Sequence, residues 1–147
     1  MKHFETALLF LVSTVALTGC DPGVHVAWQK QFDRPISPSC IEAALRSVSG
    51  SVERGSYVSD GGRGFPKGVE VTQFGYSDPS GGGYYNLDVA PLPGGKTNYW
   101  HGWSRLGTNI PADQRARILP LLNKANRAVS ALCGLSFDDV IPEQRKG

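Results

Sequence analysis

Apolar residues recur at helical spacing in two stretches of this chain and alternate at spacing two in the stretch between them. The first helical stretch is "SPSCIEAALRSVSG", in which Cys40, Ile41, Ala44, Leu45 and Val48 fall on one face. Ser37 before Pro38, or Ser39 with Glu42 three residues on, supplies a start. A hydroxyl there satisfies orphan N–H groups, and proline is tolerated where no hydrogen bond is due. Gly50 supplies the stop. The second stretch covers residues 111–133, with Ile118, Leu121, Leu122, Ala125, Val129 and Leu132 as its apolar face. Pro111 suits the first turn, Asp113 the positive helix end, and Gly134 the cap after Cys133. Pro120 removes an N–H and crowds the turn before it, so a kink or a fresh start is expected there.

The middle reads as strands. "SVERGSYVS" alternates, and "GVEVTQFGYS" sets Val69 and Val71 against Phe74 and Tyr76. "YYNLDVA" places Tyr85, Leu87 and Val89 on one side. In "TNYWHGWSRLG", Tyr99, His101, Trp103 and Arg105 oppose Trp100 and Leu106. Gly- and Pro-rich connections between them predict an antiparallel meander. The expected fold class is therefore α+β: a four-stranded antiparallel sheet with the N-terminal helix and the longer C-terminal helix on one face, order α-β-β-β-β-α, in one domain over residues 36–147. Residues 20–35, with turn signals at Pro22-Gly23 and Pro35, read as a tether that becomes structured near Trp28 and Phe32. The tail "SFDDVIPEQRKG" reads as a short extended piece.

Ahead of the tether, Lys2 and His3 form a weakly basic start and residues 7–17 an apolar run. That run is of signal-peptide length, too short for a hydrocarbon core that takes about 20 helical residues to cross. It ends in Leu17-Thr18-Gly19-Cys20, which resembles the lipobox of bacterial prolipoproteins. The resemblance covers residues 1–20 alone. It implies that residues 1–19 are a signal peptide removed on export and that the Cys20 thiol carries a diacylglyceryl group. The mature chain is then held on the periplasmic face of the cell envelope by fatty chains such as palmitate. Two or three chains make such attachment stable where one would be marginal. In enterobacterial lipoproteins Asp after the lipidated Cys signals inner-membrane retention, so Asp21 favours that membrane. Of three cysteines, Cys40 and Cys133 then remain, and oxidising conditions beyond the inner membrane favour a disulfide between them.

The leader takes one charge of each sign, Lys2 and Glu5, so the net charge stays at +2. The mature chain suits one domain with its own core. Its charges are scattered, without the basic stripe that nucleic acid requires. "APLPGGKT" (90–97) matches a permissive phosphate-binding loop, but it leads into a strand and two prolines remove amides from the cradle, so a hairpin turn is expected and no nucleotide. "GRGFPKG" (62–68) lacks dinucleotide spacing, and "GYSDP" around Ser77 lacks the closing glycine of a nucleophile elbow. His25 and His101 lie far apart and the cysteines are taken, so no metal site and no cofactor are expected. Glu53, Glu70 and Asp88 lie on predicted strands, where two carboxylates could pair for glycoside hydrolysis. Solvent-facing acids on strands are far commoner, and no enzyme is expected.

The densest aromatic stretch is "NYWHGWSR". Aromatic residues and arginine dominate binding hot spots, and strand alternation forbids Trp100 and Trp103 on one face. With Trp100 in the core, Tyr99, His101, Trp103 and Arg105 become the expected partner-binding face. Their alternative is a second small hydrophobic cluster under the N-terminal segment. The function that follows is a membrane-anchored, non-enzymatic protein-binding module, in one concrete form an inhibitor or immunity protein against a periplasmic toxin. An accessory subunit of an envelope secretion or transport assembly, and a cell-wall hydrolase, are the competing readings.

Overall fold

The structure is a computed structural model that describes residues 23–78, 84–106, 112–136 and 143–146. The leader, the lipobox, Cys20, Asp21 and Pro111 lie outside the described residues. The elements in chain order are β1 (Gly23–Phe32), α1 (Pro38–Val48), β2 (Val52–Val58), β3 (Glu70–Ser77), β4 (Tyr84–Leu92), β5 (Lys96–Leu106), α2 (Ala112–Cys133) and β6 (Glu143–Lys146). The fold is α+β, as the spacing predicts. The meander is β2-β3-β4-β5, and two further strands extend it into a six-stranded antiparallel sheet of order β2-β3-β4-β5-β1-β6.

The expected tether is a strand from Gly23 onward. Residues 23–32 form β1, an interior strand paired with β5 on one side and β6 on the other. Val26, Trp28 and Phe32 alternate along it and are all buried in the core. Burial of that apolar row, at about 1.5–3 kcal/mol per large side chain, is the force that makes a strand of a segment framed by turn residues. The C-terminal piece forms β6 on β1.

Both helices cover one sheet face. Ile41, Ala44, Leu45 and Val48 of α1 and Ile118, Leu122, Ala125 and Val129 of α2 pack with Val26, Trp28, Phe74, Tyr76, Tyr85, Leu87, Val89, Tyr99 and Trp103 of the sheet. Cys40 in the first turn of α1 is disulfide-bonded to Cys133 in the last turn of α2, with their Cα atoms 5.7 Å apart. At the start of α1 no side chain caps the helix; the Ser37 carbonyl accepts from the Cys40 and Ile41 amides instead. Its end is Ser49, whose amide donates to Leu45 and whose hydroxyl donates to Ser77 beside it. Pro120 neither breaks α2 nor restarts it. It stands on the exposed side together with Ala116, so the carbonyl it leaves unpaired can turn to water. Gly134 (φ 63°) then closes α2 in the left-handed conformation, with the Leu135 amide reaching back to Ser130.

Candidate functional site

The aromatic strand lies the other way round from expectation. β5 sits between β4 and β1, and its Tyr99, His101 and Trp103 share the face of Tyr85, Leu87 and Tyr76 beneath the helices. Tyr99 and His101 are 0% exposed and Trp103 is 2% exposed, so these three expected partner-binding residues are core residues. Arg105 follows them by register opposite Val24. Trp100, on the opposite face, belongs to a second cluster with Phe65, Val71 and Ala90. The physical reason is helix coverage: two helices bury far more area than one loop can, and the face with more large rings goes under them.

A polar chain runs through this core. The Asn126 carboxamide oxygen accepts from the Tyr99 hydroxyl at 2.9 Å and from His101 Nδ1 at 2.7 Å. A carbonyl oxygen can only accept, so Nδ1 carries the proton, and Nε2 accepts from the Tyr76 hydroxyl at 2.5 Å. Burial lowers the His101 pKa to about 4, against a smaller opposite effect of Asn126. Burial likewise pushes the Tyr76 and Tyr99 hydroxyls well above their ordinary value. His101 is thus a neutral clasp joining β5 to β3 and α2, out of reach of a substrate or a partner.

The chemistry that does reach the surface lies across the sheet, where the β2–β3 connection folds back over the open face. Its letters, "SDGGRGFPKGV", dictate this. Gly61, Arg63, Gly64 and Gly68 have φ values of 105°, 55°, 73° and 84°, which reverse the chain repeatedly. The Ser59 hydroxyl accepts from the Gly61 amide, the Asp60 carboxylate from the Gly62 amide, and the Gly62 carbonyl from the Phe65 amide. These turns drive Phe65 into Val71, Ala90 and Trp100. Asn98 Nδ2 holds the Gly64 carbonyl at 2.7 Å, and the Gly64 φ of 73° is the conformation that favours glycine there, since a Cβ would meet only the movable end of the exposed Gln29 side chain.

Arg63 and Asp88 complete the site. Asp88 is 0% exposed on β4, and its carboxylate accepts from Arg63 Nη1 at 2.6 Å, from the Tyr57 hydroxyl at 2.9 Å and from Gln73 Nε2 at 3.2 Å. The Arg63 guanidinium also lies 4.3 Å from the centre of the Trp100 ring, a cation–π contact. Burial, and then the neighbouring Asp88 charge, raises the Tyr57 pKa to about 12. Tyr57 therefore stays a donor at neutral pH. Outside this cluster an open depression of about 420 Å³ is lined by Tyr57, Val58, Asp60, Gly62, Arg63 and Gln73.

The three carboxylates are not brought together for catalysis. Glu70 lies in register with Val58, on the helix-side face, whereas Glu53 and Asp88 take the open face. Glu53 is exposed and accepts from the Tyr84 hydroxyl at 3.3 Å, and its row across the sheet is Gly75 and Asn86 rather than Asp88. "APLPGGKT" is a hairpin: Pro91 pairs with Thr97 and Leu92 with Lys96 around the turn 93–95. Ser77 ends β3 on the surface. Among the described residues, no group of three or more His, Cys, Asp or Glu could hold a metal ion, and no helix is long and apolar enough to cross a membrane.

Sequence reading missed the Arg63–Asp88–Tyr57 cluster because periodicity assigns faces, not partners. Asp88 alternates with Leu87 and Val89 and shares its face with Asn86, so it reads as a solvent-facing strand acid; the one local hint is Ala90 beyond it on that face. In α2 a signal was present: Asn126 stands at helical spacing from Leu122 and Val129, a polar residue within the apolar stripe.

Arg63→Ala is expected to destabilise the domain by about 2 kcal/mol, the low half of the range for hydrogen bonds to charged groups, since Arg63 is about one-third exposed. Arg63→Gly should cost roughly 1 kcal/mol less, because glycine relieves the left-handed backbone at that position. Urea unfolding of the two variants checks both values; equal losses would show that the backbone there carries no strain.

Compared with known proteins, the sequence matches no protein-family model and no curated protein.

Proposed function

We propose that this chain is a lipoprotein, anchored through fatty chains on Cys20 to the periplasmic face of the cell envelope, whose domain binds a protein partner without catalysing a reaction. The observation that carries the binding reading is the pinned 59–69 loop. Its turns, its buried Phe65 and its Arg63–Asp88 ion pair hold a ready-shaped surface, so little conformational freedom is left to lose on association. The rim combines an arginine and a tyrosine with Val58, which is 68% exposed at the end of β2. Arginine and aromatic anchors beside apolar area are the make-up of binding hot spots. Of the ionisable groups that line the depression, Asp60 accepts from the Gly62 amide within the loop and Arg63 is paired with Asp88 behind it. Asp88 is buried with three partners, and Tyr57 keeps its proton far above neutral pH.

In its concrete form the module is an inhibitor or immunity protein against a periplasmic toxin. The test places a photo-crosslinking amino acid at position 58 of the full chain, expressed with its leader in a bacterial host fed alkyne-palmitate. The expected result is palmitate on the wild-type chain and none on Cys20→Ala, with one discrete crosslinked enzyme whose activity falls when the purified protein is added. Adducts to several envelope proteins would indicate a subunit of a secretion or transport assembly. Peptidoglycan turnover that disappears in Asp88→Asn would overturn the non-enzymatic reading.

A further inference from the structure

With β1 beginning at Gly23, only residues 20–22 separate the sheet from the thiol that the lipobox resemblance marks. Three residues reach about 10 Å at full extension. The start of β1 is therefore tied to the acylated sulfur at a distance smaller than the domain itself, and one end of the sheet is selected. That end holds the start of β1, the end of β5 and the end of β6, because β1 runs antiparallel to both neighbours.

The residues gathered there are basic. Val24 lies in register with Arg105 on one side and Lys146 on the other, and His25 with Ser104 and Arg145. These two rows contain no acidic residue. On the first turns of α2, which follow from the same end, Asp113 and Arg117 compensate each other at 3.7 Å. Among the described residues, Glu143 enters β6 opposite Ala27, two rows further along, and Asp78 stands just past β3. Arg105, Arg145 and Lys146 come from two separate parts of the chain, so the cluster exists only once β5 and β6 have both paired with β1.

We propose that this end of the β5-β1-β6 ribbon docks on the headgroup surface of an anionic bilayer, with the Arg105, Arg145 and Lys146 positions in the headgroup layer and the 59–69 loop held at the far end. The inference rests on the acylation of Cys20 proposed above and adds an orientation to it. The acyl chains bring a membrane within three residues, and the positions nearest to it carry the charge that anionic headgroups attract. Ten residues of β1 at about 3.3 Å each place the opposite end roughly 30 Å away, beyond the reach of the surface potential at physiological salt. The depression beside Arg63 then faces the periplasm, clear of lipid.

The test uses the full chain purified from bacterial membranes and reconstituted into vesicles carrying a headgroup-linked spin quencher. One set is phosphatidylcholine with a quarter phosphatidylglycerol, the other phosphatidylcholine alone. A fluorescent amino acid replaces Lys146 in one variant, Leu106 in a second and Gly94 in a third, and mass spectrometry reports the state of Cys20 in each. The expected result is an acylated Cys20 with quenching at positions 106 and 146 at least threefold stronger than at position 94. Quenching at 106 should be stronger with phosphatidylglycerol and should fall when Arg105, Arg145 and Lys146 are replaced by glutamine. Acylated chains with equal quenching at all three positions, or stronger quenching at 94, would overturn the orientation and leave the anchor standing. Quenching at 106 and 146 that ignores phosphatidylglycerol would overturn the anionic recognition. An unmodified Cys20 would overturn the anchor and the orientation together.

Discussion

Replacing both Cys40 and Cys133 by serine is expected to lower the stability of the folded chain by about 4–5 kcal/mol. The bridge spans 93 residues of sequence, so in the unfolded chain it closes everything from α1 to α2 into one loop. Its removal returns that freedom to the unfolded state. Domains of this size are stable by about 5–15 kcal/mol, so the loss ranges from about a third of the total to nearly all of it. The native structure also loses a local tie. The disulfide joins the first turn of α1 to the last turn of α2, at the end of the helix layer where Arg34 Nη1 meets the Gly134 carbonyl and Lys30 Nζ the Ser136 carbonyl. Thermal unfolding of the double variant should show a midpoint roughly 15 °C below that of the oxidised protein. Reduced wild type should match the variant. A shift of a few degrees would show that the two helices are held by packing alone. Single variants are unsuitable, since each leaves a reactive thiol where the partner sulfur was.

Periodicity made the two helices and the four-strand meander legible, because the helices carry apolar stripes, the strands are short alternating segments, and the connections between them are rich in glycine, proline and serine. It missed β1 although Val24, Val26, Trp28 and Phe32 alternate there. The flanking Pro22-Gly23 and Pro35 read as linker punctuation, and nothing local reveals that β5 needs a neighbour on its second side. The same blindness reversed the aromatic strand. Alternation separates Trp100 from Tyr99, His101 and Trp103, but which face meets the helices depends on what the other strands offer. Tyr76, Tyr85 and Leu87 decided it. The cluster around Asp88 lay further out of view. Arg63, Asp88 and Tyr57 come from a loop and two non-adjacent strands, and only the register puts Asp88 beside Gln73 and within reach of the loop. Partner identity in three dimensions is set by long-range pairing, and a chain read residue by residue carries little of it.

His101 makes the fold sensitive to acid in a defined window. In the unfolded chain its imidazole titrates near the ordinary 6.5, whereas in the folded chain burial lowers the pKa to about 4. Between those values the unfolded state binds more protons, so acid favours unfolding there. The contribution is fully present above pH 6.5 and falls progressively as the pH drops to about 4, by about 3 kcal/mol in all. Below pH 4 His101 adds no further loss. The groups bonded to the ring reinforce the expectation. Tyr76 and Tyr99 ionise far above neutral pH and Asn126 does not titrate, so none supplies a negative charge to offset an imidazolium. A proton on Nε2 would also turn the acceptor of the Tyr76 hydroxyl into a donor, and the chain of bonds from β3 to α2 would have to reverse or break. The check is urea unfolding of wild type and His101→Gln at pH 7, 5.5 and 4. Carboxylates contribute alike to both proteins and cancel in the difference. The wild-type advantage should shrink by about 3 kcal/mol from pH 7 to pH 4, while a difference that stays constant would mean the imidazole is already accommodated as a cation in the folded core.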